Sequence, residues 1–274
     1  MRSFLFVPAD SEKKLRKALG GAADAVILDL EDSVALADKP KARALAREVL
    51  AAPRGSMKLF VRVNALTTGL TGDDLDAVTA AAPDGLVLPK SESGADVKRL
   101  VEMAGLPVVA IATETAASLF NLGTYGDCGP ELLGLTWGME DLAAALGAQA
   151  NRDALGRPTG PYELARTLCL IGARAAGVEP IDAVYANFRD LAGLEVQCHD
   201  AVRDGFTAKM CIHPDQIDVV NRIFTPSPEA VARARRIVDA FAQAGDAGVI
   251  GLDGEMLDVP HLKAAKALLA RVAG

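Results

Sequence analysis

I-A-T-E-T-A-A-S-L-F-N at residues 111–121 and L-L-G-L-T-W-G-M-E-D-L-A-A-A-L-G at residues 132–147 give the clearest indication of the fold. Each segment belongs to an unbroken apolar run that is soon followed by a carboxylate, Glu114 in the first and Asp141 in the second. Runs that do not alternate polar and apolar residues are typical of strands buried on both faces in a parallel sheet. Because the carboxyl ends of parallel strands carry the functional residues, the two acids are expected to share one cavity.

Six further apolar runs alternate with helical patterns along the chain. The predicted strands span residues 3–7, 25–28, 59–63, 85–88, 107–112, 132–137, 181–185 and 207–211. Eight strands with intervening helices predict an α/β protein with a (β/α)8 TIM-like barrel, for which 274 residues is an ordinary length. The barrel is predicted to occupy residues 1–212.

Residues 213–274 are predicted to form a C-terminal helical extension with an active-site lid segment, as part of the same structural unit. Within it, the glycine-rich stretch 245–260 is predicted to form turns between two helices. Inside the barrel, residues 142–146 after Asp141 are also predicted as a turn.

The composition favours alternating helices and parallel strands, and it argues against several classes of protein. Half of the residues are hydrophobic, only 4% are aromatic, and the net charge is -7 with both signs interspersed. Without a basic stripe, no nucleic-acid binding is expected. No uncharged apolar stretch approaches the roughly 18 residues of a membrane span. Four cysteines without a C-x-x-C pair and a start without a signal peptide predict a soluble, cytoplasmic protein with reduced thiols.

The acids that follow the two central strands suggest a metal site. Glu114 and Asp141 offer hard oxygen ligands on neighbouring strand ends. Such ligands suit Mg²⁺, because this ion takes its remaining ligands from water and substrate. An alternative stays open, in which both acids serve only to stabilise helix N-termini.

A second group of charges is predicted at the same end of the barrel. Residues 29–32 read D-L-E-D, and strand alternation places Asp29 and Glu31 on one side. These acids, together with Asp32, need solvent, ion pairs or bound cations at a buried strand end. Arg62 lies inside an apolar strand and needs a carboxylate partner, from the protein or from a substrate.

Lys90 follows another strand, and two interpretations of it are considered. It could act as a Schiff-base nucleophile toward a carbonyl substrate. The carboxylate pair favours a metal-dependent enzyme instead, so we expect Lys90 to pair with the D-L-E-D acids.

Taken in order, the motifs of the chain resemble those of the citrate lyase β-subunit-like family of the HpcH/HpaI aldolase superfamily. The matching segments span almost the whole chain and are R-S-F-L-F-V-P (2–8), I-L-D-L-E-D-S-V (27–34), V-R-V-N (61–64), L-P-K (88–90), T-E-T (113–115), G-M-E-D-L (138–142), I-H-P-D-Q (212–216) and L-D-G-E-M-L-D-V-P (252–260). No single segment is specific for this family, whereas the complete set of segments in this order is.

The resemblance implies a TIM-like barrel, commonly trimeric, that uses Mg²⁺ to make or break a carbon–carbon bond next to a thioester carbonyl. Members of this family act on citryl thioester, malyl-CoA, citramalyl-CoA or 3-hydroxy-3-methylglutaryl-CoA. By the same resemblance, Glu114 and Asp141 match metal ligands that also face substrate, and Arg62 matches a substrate-binding arginine. Positions that match contacts to CoA or the acyl thioester are Phe6, Lys17, Ile212 and His213.

Asp258 matches an acid that the C-terminal segment contributes. In relatives, that segment covers the active site of an adjacent subunit. His213 also fits a structural role, in which it caps the helix that Pro214 begins.

The chemistry explains why these residue types are needed. Cleavage of a 3-hydroxyacyl thioester releases an acetyl thioester enolate and an oxo acid, and Mg²⁺ stabilises the developing alkoxide. Arg62 would stabilise the enolate oxygen or hold the substrate carboxylate, and Asp258 would move the proton of the acetyl methyl group. Backbone N–H groups at a helix start would bind the carboxylate, and they belong to Gly138, Met139, Glu140 and Asp141.

We therefore predict a Mg²⁺-dependent carbon–carbon lyase that cleaves or condenses a 3-hydroxyacyl thioester and forms a homotrimer. The alternatives are a CoA-independent pyruvate aldolase of the same superfamily and a non-catalytic or partner-dependent subunit of a citrate lyase complex. Four points stay open: the acyl group and its stereochemistry, the direction of reaction, free CoA against an acyl carrier, and whether Asp258 acts in its own subunit.

Overall fold

The structure is a computed structural model that describes residues 1–53, 55–154, 156–245 and 247–273. Eight parallel strands form a closed barrel in chain order, and the last strand pairs with the first. The strands are β1 (Ser3–Pro8), β2 (Ala25–Asp29), β3 (Lys58–Arg62), β4 (Gly85–Leu88), β5 (Val108–Ile111), β6 (Leu132–Thr136), β7 (Glu179–Asp182) and β8 (Ala208–Cys211). The predicted (β/α)8 TIM-like barrel is therefore confirmed.

Helices alternate with these strands and continue beyond them. They are α1 (Glu12–Leu19), α2 (Lys39–Ala51), α3 (Thr71–Val78), α4 (Gly94–Ala104), α5 (Ser118–Asn121), α6 (Glu140–Leu146), α7 (Gly160–Ala176), α8 (Leu191–Asp204), α9 (Ile217–Phe224), α10 (Pro228–Gln243) and α11 (Val259–Ala273). Short 3-10 turns extend several of them, at Leu36–Asp38, Thr79–Ala81, Leu122–Asp127 and Pro214–Gln216.

The barrel closes around an apolar interior that its strands contribute jointly. One buried cluster comprises Phe4, Ala25, Ile27, Phe60, Val87, Val109, Ile111, Ile181, Ala208 and Met210. The rings of Phe4 and Phe60 lie 5.7 Å apart at 59°, a favourable geometry for aromatic pairs. Truncating a buried ring such as that of Phe60 to alanine costs about 3–5 kcal/mol. Because side chains fill the interior, a ligand site is expected at an end of the barrel and not inside it.

Two elements near the strand ends differ from the sequence prediction. Residues 142–146, predicted as a turn, belong to helix α6, which begins at Glu140 and ends at Leu146, with Gly147 as its C-cap residue at φ +65°. Acids in the first turn and glycine after the last turn both stabilise such a helix. β7 begins at Glu179, because this residue pairs with Gly134 of β6, and it ends at Asp182.

The chain divides into two compact units, residues 1–222 and 223–274. The second contains α10, α11 and a two-stranded hairpin of β9 (Val249–Leu252) and β10 (Glu255–Asp258). Its core residues are Ala234, Ile237, Phe241, Leu257 and Ala265.

The hairpin corrects the prediction of turns throughout residues 245–260. Asp253 and Gly254, with φ of 54° and 80°, form its two-residue connection. Asp-Gly favours this connection because both residues tolerate positive φ. The four residues on either side of this connection pair with each other as antiparallel strands.

Two further properties bear on the expected class of protein. Among the described residues, no helix has both the length and the apolar character needed to cross a membrane. The thiols of the four cysteines, Cys128, Cys169, Cys198 and Cys211, are free and buried. Burial raises the pKa of each thiol, so they stay protonated and unreactive near neutral pH.

Candidate active site

Charged side chains gather at the carboxyl ends of five consecutive barrel strands, β2 to β6. Parallel strands end at the same rim, so residues that follow neighbouring strands converge there. Ion pairs and one backbone hydrogen bond join these residues into a group that we call the rim cluster. The rim cluster consists of Asp29, Glu31, Asp32, Arg62, Lys90, Glu114 and Asp141.

Arg62, the last residue of β3, is fixed by the acids at the end of β2. Its Nε and Nη2 atoms donate to the two carboxylate oxygens of Asp29 at 2.7 and 2.6 Å, which is a bidentate arrangement. Its Nη1 atom lies 2.9 Å from Glu31 Oε2. These contacts confirm that Asp29 and Glu31 share one side and that Arg62 has a carboxylate partner from the protein.

The charges of this pair stabilise each other inside the protein. Burial lowers the pKa of Arg62, but the hydrogen bond and charge of Asp29 raise it above its usual value. Burial raises the pKa of Asp29, and the bond from Arg62 brings it below its usual value. The Phe6 ring centre lies 4.8 Å from the guanidinium carbon, within range of a cation–π contact. Arg62 is therefore a permanent cation with a fixed orientation.

Lys90 joins the acids of three different loops. Its ammonium group pairs with Glu31 and with Asp32 Oδ2 at 3.0 Å, and it lies 3.4 Å from Asp141 Oδ1. Its backbone N–H donates to Glu114 Oε2 at 2.6 Å. The predicted pairing of Lys90 with the D-L-E-D acids is thus confirmed.

The backbone and the charge of Lys90 are both unusual. Its φ of +52° is strained for a residue with a Cβ, and such strain is typical of functional sites. Burial lowers the pKa of its ammonium group, but the hydrogen bond and charge of Glu31 raise it above its usual value. A Schiff-base nucleophile must be neutral, so this environment argues against that chemistry.

Glu114 is a buried carboxylate, only 5% exposed. Burial in the first place, and then the negative charges of Asp141 and Glu31, raise the pKa of Glu114 to about 8, against the lowering effect of the Lys90 backbone N–H. Gly138 makes room for it, since a Cβ at that position would lie 2.6 Å from Glu114 Cγ and 2.9 Å from Oε1. The backbone N–H of Gly138 donates to Thr113 Oγ1 at 3.2 Å. The start of the G-M-E-D loop is therefore packed directly against Glu114.

The charge balance of the rim cluster fits a bound divalent cation. Two cations, Arg62 and Lys90, face five carboxylates. A dication beside Glu114 and Asp141 would favour the charged forms of both. The described residues contain no group of three or more His, Cys, Asp or Glu side chains arranged as metal ligands. Mg²⁺ needs fewer protein ligands, because one or two carboxylates with water and substrate oxygens complete its shell.

The loop between β6 and α6 carries the other predicted residues of the G-M-E-D motif. Met139 is buried, whereas Glu140 is exposed and its Oε2 accepts from Asn151 Nδ2 at 2.9 Å. The Asp141 side chain is 35% exposed, so a ligand can reach it. In general, the N–H groups at the start of a helix favour a negatively charged group.

The remaining predicted residues of the barrel lie apart from the ion pairs. Ile212 is 40% exposed after β8. His213 caps the 3-10 turn, which is the structural alternative considered for it, because its Nδ1 accepts from the Asp215 N–H at 3.2 Å, and its ring stacks on Phe188 at 4.7 Å. Lys17 is exposed in the last turn of α1.

Asp258 belongs to the second compact unit, at the end of β10. Its Oδ1 lies 2.6 Å from Nδ1 of His261 in the next helix. Sequence reasoning did not identify this contact, although the three-residue spacing places both side chains on one side of a helix start.

Two other features of the site were missed from sequence. Gly138 packs closely on Glu114, although the two positions are 24 residues apart in the chain. The sequence hints at this contact only by a glycine three residues before Asp141. The indole of Trp137, next to Gly138, donates to Asp182 at 2.9 Å. Its only signal is a tryptophan at a strand end.

Comparison with known proteins identifies the family. Residues 2–214 match the family model described as HpcH/HpaI aldolase/citrate lyase. A (3S)-malyl-CoA thioesterase from Cereibacter sphaeroides (strain KD131 / KCTC 12085) is 37% identical, over 98% of this chain and 94% of the relative. A mitochondrial citramalyl-CoA lyase from Rattus norvegicus is 34% identical, over 97% and 84%.

A solved structure supports the same assignment. The crystal structure of protein CitE from Mycobacterium tuberculosis, in complex with magnesium, acetoacetate and coenzyme A, is 37% identical in sequence. It superposes with a TM-score of 0.84 and covers 100% of this chain and 98% of the CitE chain. The chain therefore belongs to the HpcH/HpaI aldolase/citrate lyase family.

Proposed function

We propose that this protein is a Mg²⁺-dependent carbon–carbon lyase that cleaves, or forms by condensation, a 3-hydroxyacyl-CoA thioester. Cleavage gives an acetyl thioester and an oxo acid. The lyase named among the relatives and the CitE complex with magnesium and coenzyme A support this chemistry. The observation that carries the proposal is the placement of two carboxylates, Glu114 and Asp141, at one rim with the fixed guanidinium of Arg62.

Glu114 and Asp141 are proposed to hold the metal ion. Both are hard oxygen ligands, and the like charge between them is relieved when a dication is bound. When bound, Mg²⁺ would stabilise the negative charge on the 3-hydroxyl oxygen once this group has lost its proton, before cleavage converts it into the neutral oxo group of the oxo acid. Lys90 assists from the protein side, because its backbone N–H holds Glu114 and its ammonium group approaches Asp141.

Arg62 is proposed to bind the thioester carbonyl oxygen, on which the enolate charge appears. Asp29 and Glu31 hold its planar group on two sides, so the cation is oriented before substrate binds. A donor that is fixed in advance stabilises a developing charge without a reorganisation step. The N–H groups that these pairs do not use are available to the substrate.

The surrounding residues are proposed to bind the rest of the substrate. Backbone N–H groups of Gly138, Met139, Glu140 and Asp141 would bind the oxo-acid carboxylate at the start of α6. Phe6 would pack against the acyl thioester. Ile212 and His213, at the same end of the barrel, would contact the pantetheine arm, and Lys17 would contact a CoA phosphate.

Asp258 is proposed as the acid–base group. In cleavage the proton lost by the 3-hydroxyl group would pass to Asp258 through water, and Asp258 would deliver it to the methylene carbon of the enolate to give the acetyl methyl group; in condensation both transfers run in reverse. His261, 2.6 Å from its carboxylate, would orient it. We further propose that the extension, residues 213–274, contains an active-site lid segment that carries Asp258, that the protein is a homotrimer, and that it is cytoplasmic.

Hydrolysis of the thioester is a second candidate function. The 37% identical relative is named a (3S)-malyl-CoA thioesterase. In this reaction water adds to the thioester carbonyl and the carbon–sulfur bond breaks. The products are free CoA and a hydroxy acid whose carbon–carbon bonds are intact. The same guanidinium, Arg62, would stabilise the oxyanion.

Mass spectrometry of acyl-CoA species tests the proposal. Purified protein is incubated with malyl-, citramalyl-, 3-hydroxy-3-methylglutaryl- and citryl-CoA, with Mg²⁺ or with EDTA. We expect Mg²⁺-dependent loss of one species and formation of its acetyl thioester. Glu114→Gln should abolish this loss, while Glu102→Gln, at an exposed site on α4, should not. Folded wild-type protein that turns over none of the four would favour a carrier-bound thioester or a CoA-independent pyruvate aldolase.

A further inference from the structure

A buried polar network joins the last two barrel strands outside the rim cluster. Asp182 of β7 and Lys209 of β8 are neighbours in the sheet, and both side chains are fully buried. Lys209 Nζ donates to Asp182 Oδ2 at 2.6 Å, to the Ala183 carbonyl oxygen at 2.7 Å and to Gln197 Oε1 at 2.9 Å. All three protons of the ammonium group therefore have acceptors.

The other oxygen of Asp182 holds Trp137. The indole Nε1–H donates to Asp182 Oδ1 at 2.9 Å, and Arg166 Nε lies 3.6 Å from the same oxygen. Trp137 is only 3% exposed. A hydrogen bond to a charged acceptor, such as the Asp182 carboxylate, is stronger than one to a neutral acceptor. The ammonium group of Lys209 compensates the buried negative charge of Asp182.

The anchored indole lies four residues before one candidate metal ligand, Asp141, in the chain. Trp137 precedes Gly138, which packs on Glu114 and donates to Thr113. Asp141 follows in the first turn of α6. The end of β6 is thus fixed at two adjacent residues, by the indole at Trp137 and by the backbone at Gly138. A shift of the indole would move both the surface that packs on Glu114 and the start of the helix that carries Asp141.

We propose that Trp137, Asp182 and Lys209 form a positioning network that sets the Mg²⁺ affinity of the Glu114–Asp141 site. This inference rests on the proposed function, because it takes these two acids as the metal ligands. Residues that orient metal ligands without touching the metal affect affinity strongly. A network that only stabilised the fold would lower stability and leave the affinity of the folded protein unchanged.

Calorimetric titration with Mg²⁺, without substrate, distinguishes these roles. Trp137→Phe keeps an aromatic ring and removes the N–H donor. The matched control is Thr207→Val, which removes a buried hydroxyl bonded to Glu179 at the opposite, amino end of the same strand pair. We expect Trp137→Phe to weaken Mg²⁺ binding by about 10-fold or more. Thr207→Val should lower the thermal midpoint and leave Mg²⁺ affinity unchanged.

The wild-type protein provides an independent measurement. Trp137 is the only tryptophan in the chain, so its fluorescence should change with Mg²⁺ at the calorimetric Kd, and this change should be absent in Asp141→Asn. If folded Trp137→Phe binds Mg²⁺ as tightly as the wild type, the inference is overturned and the proposed function is not affected. Failure of the wild-type protein to bind Mg²⁺ would overturn the proposed function and the inference together, so the two failures are distinguishable.

Discussion

Replacing Gly138 with alanine probes the packing that places Glu114 at the rim. The added Cβ would lie 2.6 Å from Glu114 Cγ, 2.9 Å from Oε1 and 3.1 Å from Cδ. Carbon atoms in contact prefer separations of about 3.5–4.0 Å, so the Glu114 side chain must move by about 1 Å. The Lys90 backbone N–H holds its carboxylate at 2.6 Å, and this movement would stretch or break that bond.

The expected effect is larger on function than on stability. Overpacking of this kind costs about 1–3 kcal/mol of folding free energy. A misplacement of about 1 Å at a reacting centre lowers the rate by about 100-fold. We therefore expect Gly138→Ala to remain folded, to bind Mg²⁺ more weakly, and to lose about two orders of magnitude in kcat/KM.

Calorimetry with Mg²⁺ and steady-state kinetics of acyl-CoA cleavage measure both effects. Gly72→Ala is the matched control, because nothing lies within 4 Å of a Cβ there and the residue is already helical. That control should have normal activity and equal or slightly higher stability. Wild-type Mg²⁺ affinity and turnover in Gly138→Ala would refute the argument that this glycine makes room for a metal-binding Glu114.

Three further variants test separate parts of the account. Arg62→Lys keeps the charge and loses the bidentate fork on Asp29, so kcat should fall by about 100-fold or more in the same cleavage assay; near-normal kcat would remove Arg62 from the mechanism. Burial raises the pKa of Asp29, but the bond from Arg62 leaves it below its usual value. Ionised Asp29 therefore contributes stability above the unfolded pKa of about 3.9, and this contribution is lost as pH falls through the lower folded pKa. In urea titrations Asp29→Asn should lose less stability on acidification below about pH 4 than wild type, and an identical acid dependence would contradict this assignment. Gly254→Ala places a Cβ at φ +80° in the hairpin and should cost about 1–2 kcal/mol, whereas Gly251→Ala, with open space around its Cβ, should cost less; equal effects would contradict the turn assignment.

The sequence predicted the elements whose physics is local. Eight buried apolar runs correctly indicated the barrel, because parallel strands covered on both faces need no polar alternation. Arg62 inside such a run required a carboxylate, and the structure places Asp29 and Glu31 there. Lys90 and the D-L-E-D acids pair for the same reason, since charges at a buried strand end must be compensated.

Features that depend on the closed barrel could not be predicted from sequence. The contact between Trp137 and Asp182 crosses from β6 to β7 and depends on their register. The fit of Gly138 against Glu114 depends on the close approach of two loops. The positive φ of Lys90 has no local signal, since a lysine does not prefer it; it accompanies contacts made by both the backbone and the side chain of this residue. By contrast, the hairpin at Asp253-Gly254 had a local signal that the glycine content of the segment obscured.

The products formed in the first turnovers test the central claim most directly. Wild-type protein with Mg²⁺ and its preferred 3-hydroxyacyl-CoA is quenched at short times, and acetyl thioester, oxo acid and free CoA are quantified against an EDTA control. The account predicts acetyl thioester and oxo acid in equal amounts, no early free CoA, and no products when EDTA is present. Equal early amounts of free CoA and intact hydroxy acid, or cleavage that continues in EDTA, would contradict it.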